Sequence, residues 1–311
     1  MFKFLIGAVA LTTFSAAAPM VLAQDAPPPG PGAPAPAARA ARPFVPVAVH
    51  QVKPGLYRVF GNGGTVTVRV ADDGLIVVDT KLGGDNYYQD LMEKIRSVSD
   101  KPIKYVFITH VHNDHSGNAA RFQAAGAKTI ASDDYKKLVA TYKLHVGDPR
   151  SPAPDISFAK TYTVKLKGAT ATAYALHPAH TASDSVVYFP DEKVVAAGDN
   201  MFPSAPNVDW ENGGSLMGMK QNWAELAKLD FDTLIPGHGD AIVSRAEFEA
   251  DRTKLDTLIE RLRAAVKAGV PKSELLATLK VDDLGAGWDL RKFHDWTDPG
   301  RLDGLYVEFA K

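Results

Sequence analysis

Six consecutive residues, His110-Val111-His112-Asn113-Asp114-His115, put three imidazoles and a carboxylate into one short stretch of chain. Imidazole nitrogen and carboxylate oxygen are good donors for zinc and for other borderline divalent cations. A lone histidine is usually a surface group or a satisfied core residue. Four potential ligands in six positions, directly after the apolar run Tyr105-Val106-Phe107-Ile108-Thr109, point to a metal site at a strand end.

One loop does not supply enough donors for a catalytic centre, so further ligands must come from other strand ends. Three residues qualify: His180 in "HPAHTASDS", Asp199 in "VVAAGDN" and His238 in "LIPGHGD". Each follows an apolar run and is flanked by Gly, Ala or Pro, which allow close backbone approach. Asp79, closing "LIVVDT", and Asp184, after His180, are candidates to hold the imidazoles from behind. His177 reads as a neighbour of the site, and His50, His145 and His294 have no ligand context. Between Asp199 and His238, Phe202 to Met219 is irregular and long enough to wall a pocket. Trp210 could pack against a substrate there and Lys220 could attract an anion, although a structural Trp and a solvated Lys are the simpler readings.

The elements that must position these residues are legible from periodicity. Strands are predicted over 56–60, 64–70, 75–79, 103–109 and 128–131, with helices over 85–98, 117–125 and 133–142. Strands then follow closely over 161–166, 170–176, 185–189 and 194–197. Helices over 216–229 and 245–268 enclose a short strand at 233–235, and Pro271 opens a further helix. Leu305-Tyr306 reads as packing. This order suits an α/β class protein, a four-layer αββα sandwich with helices outside two sheets, better than a strictly alternating parallel fold.

The pattern resembles the metallo-β-lactamase-fold hydrolase superfamily, over roughly Gly55 to Ala241. The resemblance rests on His-x-His-x-Asp-His at 110–115, His180-Thr181, Gly198-Asp199 and Gly237-His238. It implies that His110, His112 and His180 bind one zinc, that Asp114, His115 and His238 bind a second, and that Asp199 bridges them. Two cations about 3.5–4 Å apart can share a carboxylate and a water, which makes hydroxide available near neutral pH. Asp114 would also act catalytically, orienting that water or relaying its proton. Iron and manganese remain compatible with the same donors. Departures from the family narrow the branch. The chain has no cysteine, so the β-lactamases that use a cysteine ligand where Asp199 stands do not match. Phe202 replaces the lysine which that group uses to hold a substrate carboxylate. The bridging Asp is closer to glyoxalase II, lactonase and general hydrolase branches.

Composition excludes several other classes. Lack of cysteine rules out disulfides, thiolate ligands and a cysteine nucleophile. A formal net charge of −1, with no basic stripe, gives no footprint for nucleic acid or an anionic membrane. At 311 residues and 45% hydrophobic, the chain can bury a sizeable core.

The first residues look like a secretory signal. Lys3 precedes an apolar run from Phe4 to Ala18, and Val21-Leu22-Ala23 offers small residues for cleavage after Ala23. Residues 24–46, rich in Pro, Ala and Gly, read as an extended linker, and 47–311 as the hydrolase-like domain with a C-terminal helical extension. No lasting membrane anchor is expected, and the destination is the periplasm or the outside of the cell.

The leading expectation is therefore an exported dinuclear zinc hydrolase of a small ester, lactone or amide, with β-lactams among the candidates. A mononuclear iron sulfur dioxygenase of the same fold and a non-catalytic zinc-binding protein are the competing readings. The mature protein is predicted to begin at Gln24. N-terminal sequencing of the exported protein checks this, and an intact Met1 start would overturn the export expectation.

Overall fold

Strand residues that alternate between two apolar environments decide the layering. The computed structural model describes residues 47–142, 150–202, 204–292, 296 and 299–310. The expected signal segment, the whole linker, His145 and His294 lie outside the described residues.

The first sheet has seven strands in chain order: β1 (Ala48–Lys53), β2 (Leu56–Phe60), β3 (Val66–Val70), β4 (Leu75–Val78), β5 (Ile103–Phe107), β6 (Lys128–Ser132) and β7 (Ile156–Phe158). Strands β1 to β4 form an antiparallel meander; β4 to β7 run parallel. The second sheet has six strands: β8 (Thr161–Leu166), β9 (Ala169–Ala175), β10 (Ser185–Phe189), β11 (Val194–Ala196), β12 (Thr233–Ile235) and β13 (Val243–Ser244). It is antiparallel, except that β11 and β12 pair in parallel.

Successive strand residues face opposite ways, so each central strand needs two apolar environments. In β4, Ile76 and Val78 enter the core between the sheets, whereas Leu75 and Val77 face an outer helical layer. In the second sheet Val187, Val194, Ala196 and Ile235 face inward, and Val186, Val195 and Leu234 face the other helical layer. The first outer layer contains α1 (Asp85–Val98), whose Leu91 and Ile95 are buried, α3 (Ala119–Ala124) and α4 (Asp133–Leu138), with the short helix α2 (Asn113–Ser116) preceding them. The second contains α5 (Leu216–Leu226), α6 (Arg245–Lys267), α7 (Lys272–Thr278) and α8 (Pro299–Phe309). The four-layer αββα order is as the sequence indicates. Among the described residues no helix is long and apolar enough to cross a membrane.

Some elements differ from expectation. The β3 strand starts at Val66 instead of 64, because Gly61 to Gly63 adopt positive φ and form a loop. The helix expected over 117–125 is two short helices, 113–116 and 119–124. Strands β1, β7 and β13 and helix α8 carry no strong pattern of their own and are held by their neighbours.

Two devices hold the sheets together. At the strand ends near residues 109 and 185, Ser185 N donates to Thr109 O at 2.8 Å and Ser132 Oγ donates to Ser183 O at 3.0 Å. At the other end, the buried Arg69–Glu192 ion pair, 2.5 Å long, joins them, while Arg69 also donates to Gly168 O.

Phe189 is fully buried between the sheets. Phe189→Ala is expected to cost about 3–5 kcal/mol of stability, read as a lower denaturant midpoint at unchanged slope. A loss below about 1 kcal/mol would mean this core is loosely packed.

Candidate metal centre

Parallel neighbours end on the same side, which is how the fold gathers its chemistry. Asp79 follows β4, Thr109 and His110 follow β5, Asp199 follows β11, and His238 follows β12. His180 joins them from the β9–β10 connection and Asp114 and His115 from α2.

All seven residues expected as ligands come together. Ligand atoms of His110, His112, His180 and Asp199 lie within 4.8 Å of one another, as do those of Asp114, His115 and His238. In the first cluster His112 Nδ1 is 2.9 Å from His180 Nε2, and Asp199 Oδ2 is 3.2 Å from His180 Nε2 and 3.8 Å from His110 Nε2. In the second, His238 Nε2 is 3.2 Å from His115 Nε2 and 3.3 Å from Asp114 Oδ2. The Asp199 carboxylate also reaches this cluster, with Oδ1 3.1 Å from His115 Nε2 and Oδ2 3.3 Å from His238 Nε2.

The residues behind the rings fix which nitrogen faces inward. His115 Nδ1 is 2.8 Å from Asp79 Oδ2, and His112 Nε2 is 2.8 Å from Asp209 Oδ2. His180 Nδ1 is 3.0 Å from Asn207 O. His110 Nδ1 is 3.0 Å from Thr109 Oγ1, which itself donates to Asp79 Oδ2 at 2.9 Å. Each of these four outward nitrogens meets an acceptor, which favours the neutral tautomer that turns a bare lone pair inward. The inward nitrogens converge on one another, and the buried His110 Nε2 has no hydrogen-bond partner among the described residues.

The donor set fits divalent cations. With zinc ligands at about 2.0–2.2 Å, tetrahedral angles put neighbouring donor atoms about 3.3–3.6 Å apart. The observed separations bracket that range.

Electrostatics divide the imidazoles. Burial pushes His110 well below the ordinary imidazole range, and the adjacent His115 acts in the same direction. Burial also takes His180 down to about 4. Burial opposes charge on His115 and His238 as well, but the carboxylates, Asp199 foremost, outweigh it and raise both. His112 is likewise raised against burial by its bond to Asp209. Asp199 is held well below the usual carboxylate range because His238, His115 and His180 outweigh its desolvation. The site is thus built for positive charge at its centre.

The backbone is shaped to match. Asp79 sits in the left-handed region at φ 67°, a conformation Asp tolerates better than most residues. Its Oδ1 accepts from Thr109 N at 2.8 Å, so one carboxylate fixes both the β5 end and His115. A Cβ on Gly237 would lie 2.0 Å from Asp199 Oδ1, so only glycine fits between the β12 end and the carboxylate. The buried Lys81 donates from Nζ to Gly61 O, holding the glycine loop whose Gly64 N donates to Asp114 O. Burial takes that lysine down to about 7, with Asp114 opposing the shift.

One side of the centre faces solvent. His112, Asp114 and His238 keep 23%, 26% and 32% of their side chains exposed, against 3% or less for the other four. Phe202 stands beside this opening, its ring stacked on His238 at 5.6 Å and 6.2 Å from His180.

Of the candidate supporting residues, Asp79 holds an imidazole and Asp184 does not, while Lys220, Trp210 and His177 follow their simpler readings. Asp184 holds the His180 turn through the backbone, accepting from His180 N and Thr181 N, and does not touch the imidazole. Lys220 pairs with Asp256 on α6 at 2.9 Å and is committed to the helical layer. Trp210 packs edge-on to Trp296 and donates to Glu308 at 2.8 Å, so it is structural. Among the described residues, exposed His177 bonds through its backbone to Asn222. Asp209, Asn207 and Thr109 support the rings without belonging to any motif legible in the sequence. The only local signal for Asp209 is "DWEN", where its side chain caps the turn at Asn212 N.

Comparison with known proteins agrees with this geometry. Residues 60–238 match the Metallo-beta-lactamase superfamily. The alpha subunit of 2,4-dinitroanisole O-demethylase from Nocardioides sp. (strain JS1661) is 27% identical over 206 residues, covering 64% of this chain and 59% of that protein. The linear primary-alkylsulfatase of Pseudomonas sp. (strain ATCC 19151) is 24% identical over 273 residues, covering 72% of this chain and 52% of that enzyme. The chain thus spans between half and three fifths of these relatives. Among solved structures, a metallo-beta-lactamase from Pontibacter korlensis superposes with a TM-score of 0.59 at 20% identity, over 68% of this chain and 99% of that one.

Asp209→Ala removes the acceptor that turns His112 Nδ1 inward. It is expected to weaken divalent-metal binding about 10–100-fold in chelator competition. Unchanged affinity would show that packing alone orients the ring.

Proposed function

The chain belongs to the metallo-beta-lactamase superfamily, and from that premise we propose that it is an exported dinuclear zinc hydrolase of small ester-type substrates carrying an apolar group. The single observation that carries this reading is the Asp199 carboxylate placed within 3.1–3.8 Å of imidazole nitrogens in both clusters. His110, His112 and His180 would hold one cation, Asp114, His115 and His238 the other, and Asp199 both. When bound, such a pair supplies Lewis acidity and lowers the pKa of water to about 7.

The chain's own residues supply the rest. Asp114 is the most solvent-facing carboxylate of the set and lies 3.3 Å from His238, placed to orient an attacking water and take its proton. Asp79, Thr109, Asn207 and Asp209 keep the inward nitrogens bare. Phe202 gives the opening an aromatic wall suited to an apolar substituent. The name of one relative supports this class, since a linear primary-alkylsulfatase acts on a sulfate ester with an apolar chain. Export is supported by the signal-like residues 1–23.

Seven converging donors with an open side favour catalysis over a structural zinc site, which is usually closed with four ligands. The test pairs metal analysis of the exported protein with hydrolysis of a carboxylic ester, a lactone, an alkyl sulfate and a chromogenic β-lactam, before and after chelation. Two zincs per chain and chelator-sensitive turnover are expected, with Asp114→Ala lowering kcat about 100-fold or more. One iron with oxygen consumption, or zinc with no turnover of any substrate, would overturn it.

A further inference from the structure

We infer that the C-terminal helix α8 sets the affinity of the first metal cluster and not the second, through Glu308 and Arg301 acting as positioning residues. This rests on the two-metal reading. The helix lies beyond the residues that match the superfamily, and it carries no ligand.

Two of the three imidazoles in the first cluster lean on one irregular segment, 206–217. Asn207 O accepts from His180 Nδ1, and Asp209 Oδ2 accepts from His112 Nε2. The same segment is tied to the His180 turn by Asp209 N donating to His180 O at 2.8 Å and Ser215 N donating to Ala179 O at 2.7 Å. Apart from one short 3₁₀ turn at Trp210–Asn212 and the first residues of α5, it has no regular structure to stiffen it.

Its rigidity comes from the far side. Glu308 accepts four hydrogen bonds from this one segment: Oε2 from Trp210 Nε1 at 2.8 Å and Leu216 N at 3.1 Å, and Oε1 from Ser215 Oγ at 2.7 Å and Met217 N at 2.8 Å. Two of these donors are amides of the first turn of α5, which have no partner within the helix, and a carboxylate is doubly favoured there. Arg301 donates to Asn207 Oδ1 at 2.8 Å and to Val208 O at 3.3 Å. Gly304 lets the helix close in, since a Cβ there would lie 2.3 Å from Trp210 Cβ. Leu302 and Leu305 are buried in the adjoining core and hold the helix down.

The second cluster is supported differently. His115 is held by Asp79, Asp114 by Gly64 through its backbone, and the segment after His238 by Arg58, which donates to the carbonyls of Asp240 and Ala241. None of these contacts passes through α8. Releasing α8 therefore shifts the ordering of Asn207 and Asp209 onto metal binding at the first cluster alone, because preorganised acceptors no longer hold His180 and His112.

The test uses full-length metal-free protein titrated with zinc against a chromophoric chelator. Asp209→Ala identifies the affinity belonging to the first cluster, and Asp114→Ala, which removes a donor of the second cluster, the one belonging to the second. Glu308→Ala is expected to weaken the first about 10–100-fold and leave the second within twofold. Glu308→Gln, which keeps an acceptor oxygen, should recover part of the loss. Arg301→Ala, which leaves the α5 contacts in place, should shift the same affinity in the same direction. Equal loss at both clusters, as general unfolding would give, overturns the inference; so do unchanged affinities in Glu308→Ala and Arg301→Ala. Wild-type protein that binds fewer than two zincs would overturn the two-metal reading itself, and this inference with it.

Discussion

Imidazole nitrogens that face one another at 2.9 Å and 3.2 Å are the constraint around which the molecule is organised. Two ring nitrogens at that distance repel unless a proton or a cation lies between them. The protein enforces the arrangement by giving the outward nitrogens of His110, His112, His115 and His180 their own acceptors. Among those acceptors, Asp79 also fastens the backbone and hydroxyl of Thr109, so the first sheet and two ligands share one carboxylate. Asp199, placed between the clusters, brings one negative charge within 3.1–3.8 Å of imidazole nitrogens of both.

The layers follow from that need. Two sheets are required because donors must arrive from opposite walls, and parallel pairs are required because only they end side by side. The β4–β5 pair delivers Asp79 and His110; the β11–β12 pair delivers Asp199 and His238. Their register is locked where Ser185 N meets Thr109 O. Tight steric demands at Gly237 and a left-handed backbone at Asp79 then bring the donors to within hydrogen-bonding distance of one another. Such strain is tolerated because many bonds over-determine it.

Periodicity made the central strands easy to read. β2, β10 and β12 begin and end where the pattern of apolar residues says, because each lies inside its sheet, is largely buried and is flanked by turn residues. Edge and short strands such as β1 and β7 are half-solvated, so their side chains carry weak alternation and their pairing is decided by neighbours. Expected strands at 75–79 and 103–109 end early, at Val78 and Phe107, because the last residues turn out of the ladder to serve the site.

By itself the sequence determined the donors. Imidazole and carboxylate at fixed spacing after apolar runs suit few roles besides metal binding, and His110, His112, Asp114, His115, His180, Asp199 and His238 could all be named from type and context. It also determined the layering, since period-two burial in both directions demands covered faces. Only the tertiary structure decided what holds the donors. Asp209 supports His112 across 97 residues of chain, and Glu308 reaches Trp210 across 98. Hydrogen bonds between residues so distant leave no local trace, because their partners are chosen by where the layers pack and not by neighbours in sequence.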